Sequence, residues 1–207
     1  MEVAISYKTV GKWKENSYLI KFGNEAWLID PGDEFEKLEA FFKVDDLLLK
    51  GIVNTHGHFD HVGAVNQFKE KYLIPFFIHS NDKQILRHAN LYKKLAGSTS
   101  FFVVPVIDEY VENVKNLLIG EKNIKVHFTP GHTNGSVSFE IDKFLITGDL
   151  LFNDKIGRVD LPGGNMALLK QSILFILENF EGYVIYPGHG EPFLLNEKVI
   201  NTLKKMI

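Results

Sequence analysis

Cysteine is absent from this chain of 207 residues. Structural disulfides, a thiolate nucleophile and zinc held by cysteine are therefore excluded. Uninterrupted apolar runs of about 18 residues are absent too, so we expect no transmembrane helix and no membrane partner. Polar and charged side chains interrupt the N-terminal segment where a secretory signal peptide would need an apolar core. We therefore expect a cytoplasmic protein.

An excess of positive charge is lacking as well, because 23 Lys and Arg side chains face 26 Asp and Glu side chains. Proteins that bind nucleic acids usually carry a basic face that neutralises phosphates. With a net charge of −3, we expect a small-molecule substrate and no nucleic-acid partner. The length suits one domain over residues 1–207, and no pattern in the sequence predicts an oligomeric state.

Short β-prone runs and helical patterns alternate along the chain. Strands are predicted at residues 5–10, 17–22, 26–30, 47–54, 76–79, 125–129, 136–141, 144–147 and 183–186. Helices are predicted at residues 34–43, 60–72, 81–95, 167–180 and 196–206, whereas residues 97–123 receive no assignment. Strands precede helices in each half, an order that suits two packed sheets with helices on their outer faces.

Histidines and aspartates gather at four places where an apolar strand ends. These places are His56-Gly57-His58-Phe59-Asp60-His61, Gly131-His132-Thr133, Gly148-Asp149 and Gly188-His189-Gly190. Imidazole and carboxylate are ligands for zinc, iron and manganese. The first segment alone has more donors than one small ion with an open coordination position accepts, so we divide them between two ions. His56 and His58 can point the same way in an extended segment, whereas Asp60 and His61 lie at the turn into a helix.

The motifs T-H-x-H-x-D-H, G-H-T, G-D and P-G-H-G occur in this order and together resemble the metallo-β-lactamase superfamily. The resemblance covers essentially the whole chain and implies an α/β (α+β) fold, the four-layer αββα sandwich. It implies two divalent metal ions, with zinc expected and iron or manganese suited to the same donors. The implied ligands are His56, His58 and His132 for one metal, Asp60, His61 and His189 for the other, and Asp149 bridging both.

Within the superfamily, the sequence resembles the short, single-domain hydrolases that are similar to glyoxalase II (hydroxyacylglutathione hydrolase). The resemblance lies in residues 148–152, GDLLF, and residues 156–165, IGRVDLPGGN. β-Lactamases with a cysteine ligand are excluded, those without a bridging aspartate do not match Asp149, and flavodiiron proteins have glutamate where His58 stands. The resemblance implies hydrolysis of a thioester such as S-lactoylglutathione by a metal-bridging hydroxide, with Asp60 and Asp149 as catalytic residues. Arg158 and Asn165 are predicted to bind substrate.

Longer enzymes of this branch bind glutathione through a C-terminal helical domain, and we expect no such separate domain in this chain. The thiol half of the substrate should then be bound loosely, so that S-lactoylglutathione and simpler thioesters are hydrolysed with similar efficiency. A glutathione site, if present, would be expected near Arg158, Asn165, Lys204 and Lys205.

Three alternatives stay open at this point. Persulfide dioxygenases resemble glyoxalase II but use one iron, best matched here by His56, His132 and Asp149, although the D-L-P-G-G run favours the hydrolase. A phosphodiesterase or nuclease would share the ligands, but the mild acidity and the lack of an RNA-binding insertion argue against it. A catalytically silent binding module is disfavoured by the complete set of donors. The remaining histidines, His79, His88 and His127, together with Asp82, are predicted to support the site or to face solvent.

Overall fold

The computed structural model describes residues 1–114 and 116–207. The first six strands of these residues form one sheet in chain order: β1 (Ala4–Val10), β2 (Glu15–Phe22), β3 (Glu25–Ile29), β4 (Leu48–Val53), β5 (Phe76–Ile78) and β6 (Glu109–Tyr110). The next six form a second sheet in the reverse spatial order: β7 (Leu117–Ile119), β8 (Lys122–Phe128), β9 (Val137–Ile141), β10 (Phe144–Gly148), β11 (Val184–Pro187) and β12 (Phe193–Leu194).

Seven α-helices accompany the two sheets in the described part of the chain. The helices of the first half are α1 (Phe35–Phe42), α2 (Phe59–Val62), α3 (Val65–Tyr72), α4 (Lys83–Arg87) and α5 (Ala89–Leu95). The second half contributes α6 (Met166–Asn179) and α7 (Glu197–Lys204). Across residues 1–114 and 116–207, the helices are all too short or too polar to cross a membrane.

Three apolar clusters hold four layers together. The cluster between the sheets joins Tyr18 and Ile20 of the first sheet to Phe139 of the second. Leu19, which alternates with these two residues along β2, points to the opposite face and packs under the helices of the first half. A third cluster packs α6 and α7 on the outer face of the second sheet. Because alternate side chains of a strand point to opposite faces, each central strand needs apolar residues throughout. The predicted αββα sandwich is confirmed.

The predicted helix at residues 60–72 is wrong in one respect, because it divides into α2 and α3. Gly63 packs so closely on Gly32 that a β-carbon would lie 2.3 Å from the Gly32 carbonyl oxygen. The next amide, of Ala64, donates to the Pro31 carbonyl at 3.0 Å and leaves the helical ladder. Contact with the loop after β3 therefore interrupts the helix, and the local pattern of apolar residues cannot reveal this contact.

Two other segments differ from the sequence predictions. The helix predicted at residues 81–95 begins as a 3₁₀ turn and divides into α4 and α5 at His88, whose Nδ1 lies 2.9 Å from the Gln84 carbonyl oxygen. Residues 97–123, left unassigned above, contain β6, β7 and the start of β8 in their described part. The sequence analysis also missed the two-residue strand β12, which pairs antiparallel with β11.

Parallel pairing brings the chemically interesting loops to one edge. Strands β3 and β4 are parallel with Ile29 beside Val53, and β10 and β11 are parallel with Gly148 beside Pro187. Parallel strands end at the same edge of a sheet, so the residues that follow them must be neighbours. The loops after β3 and β4 are therefore neighbours, as are the loops after β10 and β11, and His61 Nε2 lies 3.6 Å from Asp149 Oδ1 where the two pairs meet.

Candidate metal centre

One group of donors contains three histidines. His56 and His58 follow β4 in an extended loop, and His132 lies in the loop between β8 and β9. One ring nitrogen from each lies within 4.8 Å of the others, and the distance from His132 Nε2 to His58 Nδ1 is 2.9 Å. Within the described residues, His56 Nε2 is buried and has no hydrogen-bond partner. The three nitrogens thus converge as the ligands of one divalent cation would.

The second group contains Asp60 and His61 of α2 and His189, which follows β11. One donor atom from each lies within 4.8 Å of the others. His189 Nε2 is 3.5 Å from Asp60 Oδ2. Imidazole and carboxylate donors in this arrangement suit zinc, iron or manganese.

Asp149 lies between the two groups. Its Oδ1 is 3.6 Å from His61 Nε2, whereas its Oδ2 is 3.6 Å from His132 Nε2 and 3.4 Å from His189 Nε2. Burial opposes ionisation, but the charges of these three histidines outweigh it and hold the pKa of Asp149 well below its usual range. One ionised carboxylate therefore faces both groups, as a bridging ligand would.

In four of the five histidines, Nδ1 makes a hydrogen bond that orients the ring. His61 Nδ1 lies 3.0 Å from Asp30 Oδ2, His132 Nδ1 lies 2.8 Å from the Arg158 carbonyl oxygen, and His189 Nδ1 lies 3.1 Å from the Lys14 carbonyl oxygen. His56 Nδ1 lies 3.0 Å from Thr55 Oγ1. A carboxylate or carbonyl oxygen can only accept, and the Thr55 hydroxyl already donates to Asp30, so Nδ1 carries a proton in all four rings. Nε2 is then the atom that faces inward and can bind a cation once the ring is neutral. His58 instead directs its Nδ1 towards His132.

Burial and mutual repulsion keep His56 in the neutral form. Burial lowers the pKa of His56 well below its ordinary value, and the nearby rings of His61, His132 and His58 lower it further. His58 shows the same direction, with burial as the largest cause and His132 next. Only the neutral ring offers a lone pair to a cation, so the crowding prepares these side chains for metal binding.

Asp30 is a supporting residue that the sequence analysis missed. It is fully buried at the end of β3, with φ at 49° in the left-handed region. Its carboxylate accepts from the Thr55 amide at 2.7 Å, from the Thr55 hydroxyl at 2.5 Å and from His61. Asp30 also lies near His56 and His61 as a third group of donors. Because these contacts engage both its oxygens, we interpret it as the residue that orients the two rings. In the sequence, Asp30 is only the last residue of a predicted strand that Pro31-Gly32 ends.

Glu15 is a second residue without a sequence signal. Its carboxylate is buried, accepts from the Ser17 hydroxyl at 3.0 Å and lies 3.9 Å from His61 Nδ1. Burial raises the pKa of Glu15 well above its ordinary value. Glu15 and Asp30 therefore both approach Nδ1 of the His61 ring.

Asp82 supports the first group of histidines, which is one of the two roles predicted for it. It is fully buried, and its carboxylate accepts from the amides of Gly57 at 2.8 Å and Gly135 at 2.7 Å and from the Thr133 hydroxyl at 2.7 Å. Burial raises the pKa of Asp82, and these three donors oppose the rise. Gly57 separates His56 from His58, so one side chain ties both metal-facing loops together.

Replacing Asp82 with alanine should therefore destabilise the fold. Three buried donors would lose their acceptor, which we expect to cost about 2–4 kcal/mol of unfolding free energy. Urea unfolding of the protein after treatment with a metal chelator measures this loss of unfolding free energy. Asp46→Ala, at an exposed position, is the matched control. Equal midpoints for the two variants would show that Asp82 does not hold the loops.

The other three histidines lie away from the centre. His79 accepts from the Asn81 amide and stacks on Phe128, and His127 pairs with Glu140 at 2.7 Å. His88 bonds to its own helix.

Of the two predicted substrate-binding residues, Arg158 lines the cleft and Asn165 is outside its described lining. Arg158 lines the cleft beside the donors, but its guanidinium makes a bidentate pair with Asp160 at 2.7 and 2.6 Å. Asn165 lies outside the described lining of the cleft, and its side chain accepts from the Leu168 amide at 3.1 Å as the N-cap of α6. The structure therefore gives Asn165 a capping role and places Arg158 in the lining of the cleft, and substrate binding by either residue stays a prediction. Lys204 and Lys205, on or next to α7, also lie outside the described lining.

The cleft has a volume of about 630 Å³. His58, Asp60, His132, Asp149 and His189 form its floor. Its walls come from the β1–β2 connection, the first turn of α2, helix α5 and the loop after β10, with side chains of Trp13, Phe59, Tyr92, Leu95, Ala96, Phe152, Lys155, Ile156, Arg158, Leu161 and Pro162. A cavity of this size accommodates a small-molecule ligand.

Comparison with known proteins agrees with this geometry. The sequence profile of the metallo-β-lactamase superfamily matches residues 10–189, and the chain belongs to this superfamily. It is 36% identical to the probable metallo-hydrolase YqgX of Bacillus subtilis, over 87% of each chain. It is 34% identical to the hydroxyacylglutathione hydrolase GloC of Haemophilus influenzae, over 80% of each chain. A crystal structure of TTHA1623 in a di-iron-bound form superimposes with a TM-score of 0.82 at 35% identity, covering 92% of this chain and 94% of that one.

Proposed function

We propose that this protein is a dinuclear metal-dependent hydrolase that cleaves thioesters, with a reaction of the hydroxyacylglutathione hydrolase type. The observation that carries the proposal is the position of Asp149, whose two oxygens face two separate groups of histidine and aspartate donors. The similarity to GloC supports the thioester as the substrate class.

The donors fit two divalent cations. His56, His58 and His132 would hold one, Asp60, His61 and His189 the other, and Asp149 both. We propose zinc, and the similarity to a protein with a di-iron-bound form supports iron as well. When bound, two such cations lower the pKa of a shared water towards neutrality and polarise a carbonyl group.

The side chains of the cleft supply the remaining requirements. Asp60 lies on the cleft floor, where its carboxylate can accept a hydrogen bond from the attacking water and orient it. Trp13 and Phe59 pack edge to face with ring centroids 4.7 Å apart and give the cleft an apolar lining beside the donors. A thiolate leaves without prior protonation, so a thioester needs no strong general acid.

Metal analysis combined with a thioester panel tests the proposal. We expect two equivalents of metal, hydrolysis of S-lactoylglutathione and simpler thioesters, loss of activity on chelation and recovery with zinc, iron or manganese. A fully loaded enzyme that hydrolyses no thioester would refute the proposed reaction. One equivalent of iron with oxygen uptake from a glutathione persulfide would favour the dioxygenase alternative instead.

A further inference from the structure

The walls of the cleft are mainly apolar. Trp13, Phe59 and Leu95 line the cleft from the first half of the chain, and Phe152, Ile156 and Leu161 line it from the loop after β10. Apolar surface of this extent around a small polar floor is the usual composition of a site that binds an apolar ligand. The walls therefore indicate a property of the substrate, its apolar character, that the metal ligands do not indicate.

Packing within the fold explains the apolar side chain of Leu95 less well than those of the other wall residues. It ends α5 and is 75% exposed, so it contributes little to the core. Leu91, one turn earlier on the same helix and 52% exposed, lies outside the described lining of the cleft. A bound apolar group would cover Leu95 and remove its surface from water.

The charges along the cleft are poorly suited to glutathione, which carries two carboxylates and an ammonium group. The cations among the described lining residues are Lys155 and Arg158. Arg158 is already engaged by both oxygens of Asp160, and the Lys155 ammonium lies 5.3 Å from the centre of the Phe152 ring. A tightly held tripeptide would need several fixed polar partners, whereas these walls offer hydrophobic surface.

From these observations we infer that the cleft selects thioesters with an extended or aromatic apolar group next to the scissile bond, in preference to hydroxyacylglutathiones. This inference rests on the thioester hydrolysis proposed above. The apolar group can belong to the acyl half or to the thiol half of the substrate, since both halves meet at the carbonyl above the donors.

A panel of four substrates separates the two sources. Acetyl and hexanoyl esters of N-acetylcysteamine vary the acyl half, and acetyl esters of N-acetylcysteamine and benzyl mercaptan vary the thiol half. Each buried methylene should raise kcat/KM by about three- to four-fold, so the larger group should gain at least about 30-fold in one arm. S-lactoylglutathione serves as the reference substrate and should fall below the preferred apolar ester.

Leu95→Gln tests the wall itself, with Leu91→Gln as the matched control. We expect Leu95→Gln to lower kcat/KM for the preferred apolar ester about five-fold more than for the N-acetylcysteamine acetyl ester. Leu91→Gln should change neither value. Both leucines are exposed, so neither variant should unfold the protein.

The outcomes distinguish this inference from the proposed function. A gain in the acyl arm or in the thiol arm supports the inference and identifies the half of the substrate that the cleft binds. Hydrolysis of all thioesters without an apolar preference, a preference for S-lactoylglutathione, or equal effects of the two leucine variants would overturn it while leaving thioester hydrolysis intact. Failure of the metal-loaded enzyme on every thioester would instead overturn the proposed function.

Discussion

Asp149→Ala is expected to lose both metal ions and nearly all activity. The Asp149 carboxylate contacts donors of both groups, so if it bridges the two ions as proposed, its removal would take one ligand from each. The negative charge of Asp149 also offsets the positive charge of the surrounding histidines. Burial raises the pKa of Asp149, but these histidines outweigh burial and hold the pKa well below its usual range. We expect metal content to fall below one equivalent per chain and kcat/KM for a thioester to fall by about 1,000-fold or more.

Asp154→Ala is the matched control for this variant. Asp154 is an exposed aspartate in the same loop after β10, and its replacement should leave metal content and turnover unchanged. Plasma mass spectrometry and steady-state kinetics measure the two effects, and circular dichroism checks that the fold survives. Full dinuclear occupancy with normal turnover in Asp149→Ala would show that the residue does not bridge.

Asp60→Ala should separate the two metal positions. Asp60 belongs to the group with His61 and His189, while the three histidines of the other group and Asp149 stay in place. We expect about one equivalent of metal to remain. The loss in kcat should reach about 100-fold, because the variant also lacks the carboxylate that orients the attacking water.

Asp60→Asn provides the comparison for this second prediction. Asparagine keeps the size of the side chain and one carbonyl oxygen but loses the charge, so metal content should lie between those of the native protein and Asp60→Ala. Retention of two tightly bound metal ions by Asp60→Ala would exclude Asp60 as a ligand. Retention of normal kcat with one metal would exclude its part in orienting water.

The metal-facing side chains could be predicted from the sequence because they follow strands. Strands β4, β10 and β11 are short and mostly apolar, and the polar residues after them stand out in the sequence. The structure brings all seven predicted donors together at one edge. Their role as ligands stays a prediction that the two aspartate variants test.

The residues that orient these donors could not be predicted in the same way. Asp30 ends the strand predicted at residues 26–30, and Glu15 lies in the unassigned stretch before the strand predicted at residues 17–22. Each meets His61 only after β2, β3 and β4 have paired. Asn165 stands in a conspicuous motif that predicts substrate binding, and only the structure shows that its side chain also caps α6. Hydrogen bonds between distant segments leave no periodic trace in a sequence.

By itself, the sequence determined the chemical kind of the site and the layered architecture. Both depend on local features: the absence of cysteine, the order of the histidine and aspartate motifs, and the alternation of strand and helix patterns. Tertiary structure alone decided which ring nitrogen of each histidine faces inward, that Asp149 stands between the two groups, and that Trp13 and Leu95 share a cleft with Phe152. The physical reason is that these properties arise from contacts between segments far apart in the chain, which exist only once the two sheets have packed together.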